Sequence, residues 1–198
     1  EDGVRAEDVD ALVVTREALS DAAVLELRAL HERIAASGVP FANRLEVSYF
    51  PREALRRHDP AAAIHPRVGV DSPLERRPHG SDWVLERSLL RERGVVLAGP
   101  PPRELIDAVS ADEQRCAVRD LLRDWWAKQL DDPSFLRPRE YQAFGVVSIC
   151  RALHTLETGT LASKPAAAGW ALSRLPARFR GLVQRANARG DFRHATRR

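Results

Sequence analysis

The apolar residues change period partway along the chain, and that change sets the fold class. Short β-rich runs lie before position 51, whereas helical spacing prevails from Ser81 onward. Val9-Asp10-Ala11-Leu12-Val13-Val14-Thr15 is rich in β-branched residues and predicts a strand. Ser20, a favourable N-cap, opens a helix with Val24, Leu27, Leu30 and Ile34 on one side, closed by Gly38 and Pro40. Residues 45–50 alternate like a second strand. The stretch 51–80 carries five prolines and several arginine clusters without sustained periodicity. It predicts a long excursion holding at most a short helix or strand.

Helices follow. Ser81 is expected to cap a segment with Val84, Leu85, Leu89 and Leu90 that Gly94 stops. Val95-Val96-Leu97 is a short apolar piece running into the turn Gly99-Pro100-Pro101-Pro102. Ser110-Ala111-Asp112-Glu113 fits a capping box, in which Ser110 and Glu113 satisfy each other's free backbone donors. That helix carries Val118, Leu121, Leu122 and Trp125. Another runs from about Arg139 through Val146, Ile149, Cys150 and Leu153 to Gly159, and two shorter ones begin near Pro165 and Pro176. Strands early and helices late predict an α+β domain over 1–109 and a helical bundle over 110–198.

Composition narrows the function classes. No apolar run approaches the length of a membrane span, and Glu1-Asp2-Gly3 is not a signal peptide. Cys116 and Cys150 lie far apart, so neither a disulfide framework nor a zinc site is suggested, and a reducing cytoplasm is expected. The six histidines show no metal-ligand spacing, and the chain has no P-loop, GxGxxG or GxSxG. Methionine is absent, position 1 included, which predicts a chain trimmed or cut from something longer. Residues 174–198 hold eight arginines against a single acid, Asp191. A solvated helix face is the expected role, with a nucleic-acid contact the alternative.

The chemistry is concentrated in acids. Asp8 and Asp10 are two apart on the first strand, so their carboxylates project from the same face. Adjacent like charges repel unless a cation lies between them. Mg²⁺ favours one or two protein carboxylates together with substrate phosphates. Glu46 lies near the start of the second strand, with Leu45 and Val47 expected in the core and Glu46 on the opposite face beside Ser48. If the strands pair, Glu46 reaches the same spot. Three converging acids are costly, and metal binding or proton removal would justify them. Trp125-Trp126 is expected to be core plus rim of a helix.

The strand 8–15 resembles the carboxylate strand of the nucleotidyltransferase superfamily that includes DNA polymerase β. Arg44-Leu45-Glu46-Val47-Ser48 resembles its third-acid strand as found in streptomycin/spectinomycin adenylyltransferases. Leu97-Ala98-Gly99-Pro100 with Glu104-Leu105-Ile106-Asp107 is similar to that family's passage into a second domain. Arg151, Thr158-Gly159, Lys164, Trp170-Ala171 and Arg174-Leu175-Pro176 resemble its helical domain.

The resemblance implies a mixed-sheet, polymerase β-like domain followed by a helical bundle, and transfer of AMP from ATP to a hydroxyl of a small acceptor, with an aminoglycoside leading. It implies Mg²⁺ on Asp8 and Asp10, Glu46 as the base, and Lys164 reaching the nucleotide phosphates; no membrane is involved, and nucleic acid is not the expected partner. Asp82 falls where these enzymes have another acid, and otherwise complements a helix dipole. Arg151 is expected to act either as a structural ion-pair partner or as a ligand contact.

Departures are also visible. The superfamily's Gly-Ser turn should precede Asp8 by more residues than this chain contains, so the chain by itself is expected to be an inactive fragment lacking the preceding strand and helix. Glu7 stands where a small hydroxyl residue is usual. Acids near the start of the Arg151 helix meet the cationic drug in antibiotic-modifying members, and that stretch reads Glu140-Tyr141-Gln142-Ala143 here. The alternative reading is a catalytically silent ligand-binding relative.

Overall fold

The computed structural model describes residues 9–70 and 72–188. These form two compact units. One takes in 9–80 and Val96–Asp107, the other Ser81–Val95 and 108–188.

The first unit is built on a four-stranded sheet in the order β1-β2-β3-β4. β1 spans Val9–Thr15, and a helix, α1 (Asp21–Ala35), carries the chain across to β2 (Leu45–Pro51). A connection of this length lets β2 run parallel to β1 rather than turn back as a hairpin. Ser20 caps α1, its side chain accepting from the Ala23 amide. β2 is flanked on both sides, and 46–50 are all buried. Its odd-numbered face packs beneath α1, where Val24, Val47, Tyr49, Val68 and Leu74 form a core that Ala11, Leu19, Leu27 and Leu45 extend.

The stretch 51–80 corrects the expectation of an excursion with little structure. It holds a short helix, α2 (Arg52–Arg56), and two full strands, β3 (Ile64–Gly69) and β4 (Ser72–Pro78), paired antiparallel with each other. β3 also pairs antiparallel with β2 through Val47↔Val68 and Ser48↔Arg67. Prolines are accommodated where no ladder donor is required. Pro73 and Pro78 lie on β4, an edge strand, and Pro66 lies just past the β2–β3 pairs. Two arginines tie this hairpin to the preceding segments: Arg28 Nε donates to the Leu74 carbonyl at 2.8 Å and Arg76 Nη2 to the Leu19 carbonyl at 2.7 Å. A short helix, α3 in this unit (Pro102–Leu105), brings Leu105 and Ile106 into the interior. Asp107 accepts from both Arg56 and Arg57.

The second unit is helical. Its helices are α4 (Asp82–Arg93), α5 (Ala111–Leu121), α6 (Lys128–Asp131), α7 (Arg139–Thr158), α8 (Lys164–Arg174) and α9 (Arg180–Ala188). The capping box at Ser110 and Glu113 is complete. Ser81 does not cap α4 as expected: its backbone is already helical, and its side chain makes no capping hydrogen bond. α7 packs against α5, α8 and α9. The small side chains of Ala167, Ala168 and Ala171 bring α8 close to Cys150 and Val183, and Ala143, Val147 and Ala186 form an adjoining cluster. Val95, Val96 and Leu97 are exposed and form no strand.

Residues 122–126 make a π-helical turn after α5, with the Ala127 amide donating to the Leu122 carbonyl at 2.8 Å. The extra residue turns Trp125 toward Phe135 and Trp126 toward Phe144. Both tryptophans are half-buried, so neither is the core member that the core-plus-rim expectation required.

Candidate functional site

The parallel register of β1 and β2 decides where the acids go. Asp10 pairs directly with Glu46, as Ala11 does with Val47. Directly paired residues share a sheet face, so Asp10 and Glu46 stand together on the side away from α1. Asp8 lies outside the described residues. Among the described residues no group of three or more His, Cys, Asp or Glu side chains assembles into a metal-binding arrangement.

The two described acids differ in environment. Asp10 is exposed. Glu46 is buried, its side chain 6% exposed, and Arg67 Nη2 donates to its Oε2 at 2.7 Å. Glu46 Oε1 is shut off from solvent and has no hydrogen-bond partner. A buried carboxylate is costly to desolvate, and a guanidinium contact offsets part of that cost. Arg67 reaches Glu46 because it is the cross-strand partner of Ser48, two residues along the same face.

Farther along this face the site becomes aromatic. Phe50 packs against His65, ring centroids 4.3 Å apart, and against His79 at 5.0 Å. Burial, and then the charges on His65 and Arg67, lower the His79 pKa to about 3, so its ring stays neutral at physiological pH. On the opposite face, a cavity of about 420 Å³ is lined by Val9, Ile34, Val39, Phe41 and Leu45 with Arg33. Neither Asp10 nor Glu46 lines it.

In the helical unit, Lys164 is the first residue of α8, preceded by Ser163, whose side chain accepts from the Ala166 amide. Arg151 is held in place by the Ala162 carbonyl, to which Nε donates at 3.1 Å. Burial lowers its pKa, with Glu86 opposing that shift. These contacts give Arg151 a structural anchor. Asp82 is the first residue of α4, where its charge complements the helix dipole. Of the basic stretch 174–198, residues 189–198 lie outside the described residues, and Arg174 pairs with Glu157 at 3.3 Å.

Sequence reasoning missed Arg67, His65 and His79, because the hairpin that carries them was not expected. The signal that could have found His65 and Arg67 is the alternation His65-Pro66-Arg67-Val68, which puts those two on one face and Val68 in the core.

The family model of the aminoglycoside adenylyltransferase C-terminal domain matches residues 104–192. Aminoglycoside (3'') (9) adenylyltransferases from Klebsiella pneumoniae and Escherichia coli are 31% identical over 93 residues, which is 47% of this chain and 33% of each relative. The counterpart from Rhizobium radiobacter is 30% identical over the same length. The matched region thus spans about a third of these curated relatives. Among solved structures, spectinomycin adenyltransferase AAD(9) from Enterococcus faecialis, determined with ATP and spectinomycin, superposes with a TM-score of 0.68 at 17% identity. The superposition covers 92% of this chain and 75% of AAD(9), and supports the α+β assignment at the level of fold. The chain is therefore aminoglycoside adenylyltransferase-like, its residues 104–192 matching the model of that family's C-terminal domain.

Proposed function

We propose that this protein is an Mg²⁺-dependent nucleotidyltransferase that transfers AMP from ATP to a hydroxyl of a small acceptor, an aminoglycoside being the leading class. The observation that carries the reading is the in-register pairing of Asp10 with Glu46 on one sheet face. An exposed acid beside a buried one divides the work. The exposed carboxylate suits a hydrated cation, and the buried one suits proton removal away from water.

The donor set fits the metal as far as it is described. Asp10 offers hard carboxylate oxygen at the solvent edge, and Mg²⁺ characteristically binds one or two protein carboxylates and completes its shell with phosphate and water. Asp8 would be the second ligand. When bound, the ion would offset phosphate charge at the reacting end of ATP. Glu46 would accept the proton of the acceptor hydroxyl as that oxygen bonds to the α-phosphorus, and pyrophosphate would leave. Lys164 would hold phosphate oxygens through its ammonium.

The relatives' names support the acceptor class, and AAD(9) was determined with ATP and spectinomycin. None of the described helices is long and apolar enough to cross a membrane.

The test is pyrophosphate release with ATP and an aminoglycoside panel, using protein expressed from its whole reading frame. The wild type should turn over. Asp10→Asn, which keeps the side-chain shape and deletes a charge, should abolish turnover while preserving the melting temperature. Wild-type rates in Asp10→Asn would remove the carboxylate pair from the chemistry.

A further inference from the structure

The Glu46–Arg67 contact is unusual for a structural ion pair. Where an arginine serves only to neutralise a buried carboxylate, the fork commonly engages both oxygens. Here Arg67 donates to Oε2 at 2.7 Å, while Oε1 is buried without a hydrogen-bond partner. Leaving a carboxylate oxygen unsatisfied away from water costs free energy. The arrangement is also lopsided, with the Glu46 side chain 6% exposed and that of Arg67 35% exposed. The acid is fixed inside and the cation sits at the rim.

The backbone accounts for this geometry. Arg67 is opposite Ser48, so it approaches Glu46 along a diagonal and reaches the nearer oxygen. His79, packed against Phe50 and His65, stays neutral because burial, and then the charges on His65 and Arg67, lower its pKa. Arg67, rather than His79, carries positive charge beside Glu46.

We propose that Arg67 is a positioning residue for Glu46: it pins Oε2 and thereby presents Oε1 as the oxygen that takes the acceptor's proton. The inference rests on the reading of Glu46 as the base. Pinning one oxygen removes the rotational freedom of the carboxylate without occupying the lone pairs that the reaction needs. Bulk water does not reach Oε1, so the acceptor hydroxyl meets those lone pairs only where its binding opens room beside that oxygen.

The experiment compares Arg67→Ala, Arg67→Lys, Glu46→Gln and the double variant Glu46→Gln/Arg67→Ala in protein expressed from its whole reading frame. Each is assayed for pyrophosphate release well below its own melting temperature, so that all are folded. Arg67→Ala should lower kcat by about a hundredfold, the scale of a misplaced catalytic group, with KM for ATP unchanged. Arg67→Lys should recover most of the rate, because a single N–H suffices to hold a single oxygen. In the Glu46→Gln background, removing Arg67 should lower the residual rate no further.

An unchanged kcat in Arg67→Ala overturns the proposal. So does an equal fractional loss in the Glu46→Gln background, or a lysine variant as poor as alanine, since each marks a structural arginine. A wild type that transfers AMP to no acceptor overturns the functional reading and this inference with it. Wild-type turnover with an indifferent Arg67→Ala overturns this inference alone.

Discussion

Asp10 and Glu46 stand opposite one another on neighbouring parallel strands, one open to solvent and the other sealed beside Arg67. Their proximity is set by register alone. A slip of one residue between β1 and β2 would send Glu46 to the face opposite Asp10 and separate them by the thickness of the sheet. The core on the other face prevents that slip, because Ala11, Leu45, Val47 and Tyr49 must all lie under α1 together.

Glu46→Gln should therefore abolish chemistry and leave the fold in place. The amide keeps the volume and can still accept from Arg67, but it cannot remove a proton. The expected loss is about a hundred- to ten-thousandfold in kcat, the usual worth of a general base, with little change in melting temperature. Turnover within tenfold of wild type would exclude Glu46 as the base.

Lys164→Ala should act on nucleotide use. Loss of one charge-assisted contact of roughly 1.5–3 kcal/mol would raise KM for ATP by about tenfold or more. The α8 N-terminus should survive, because its cap is the Ser163 hydroxyl rather than the lysine. Unchanged KM and kcat for ATP would remove Lys164 from the site.

Much of this was legible in the sequence for reasons that can be named. β1 shows itself by its β-branched residues and β2 by alternation, and Ser20, Ser110 and Gly159 announce helix ends through capping chemistry. The β3–β4 hairpin was not legible. Pro66, Pro73 and Pro78 imitate loop signals, and His65 and Arg67 occupy buried-face positions where apolar residues would have shown the period. The same substitution of polar for apolar residues concealed half of the candidate site. Its acids could be read from spacing, whereas the arginine that grips one of them depends on a cross-strand register that no local pattern reveals.

The helical unit makes a prediction about its two thiols. Cys150 is packed among Ala167, Ala168, Ala171 and Val183, and burial pushes its pKa up, whereas Cys116 is exposed. The thiolate is the reactive form, so Cys150 is doubly protected. A disulfide-exchange reagent at neutral pH should label one thiol in the native protein and two in denaturant. Rapid labelling of both in native buffer would contradict the packing of α8 on α7.

Gly159 supplies a sharper stability test. It ends α7 with φ of 72°, and a Cβ there would lie 2.6 Å from the Ala111 Cβ and 2.9 Å from Arg115 Nη2. The arginine could swing aside, but the alanine methyl is fixed at the start of α5. Gly159→Ala should cost about 2 kcal/mol or more, combining left-handed strain with the clash. Denaturant unfolding that shows an unchanged midpoint would contradict the close approach of α5 to the end of α7.

Acid sensitivity follows from the aromatic end of the site. His79 is buried against Phe50 and His65, and its pKa falls from the ordinary 6.5 to about 3. Between those values the unfolded chain holds a proton on this residue that the folded chain does not. Stability therefore rises with pH across the window and is lost as pH falls from 6.5 toward 3. The slope from one such site is at most about 1.4 kcal/mol per pH unit. His31, hydrogen-bonded to the Tyr49 hydroxyl at 2.8 Å and lowered by burial, adds in the same direction. Carboxylates such as Asp107, held below their usual range by Arg57 and Arg56, titrate lower and contribute little between pH 7.5 and 5. Urea midpoints should thus drop between pH 7.5 and 5 in the wild type. His79→Phe, which keeps an aromatic ring against Phe50 and removes the titrating group, should flatten that drop. Parallel pH profiles for the two proteins would show that His79 takes up its proton in the folded state as readily as in the unfolded one, and that the buried ring pair is not the source of the acid sensitivity.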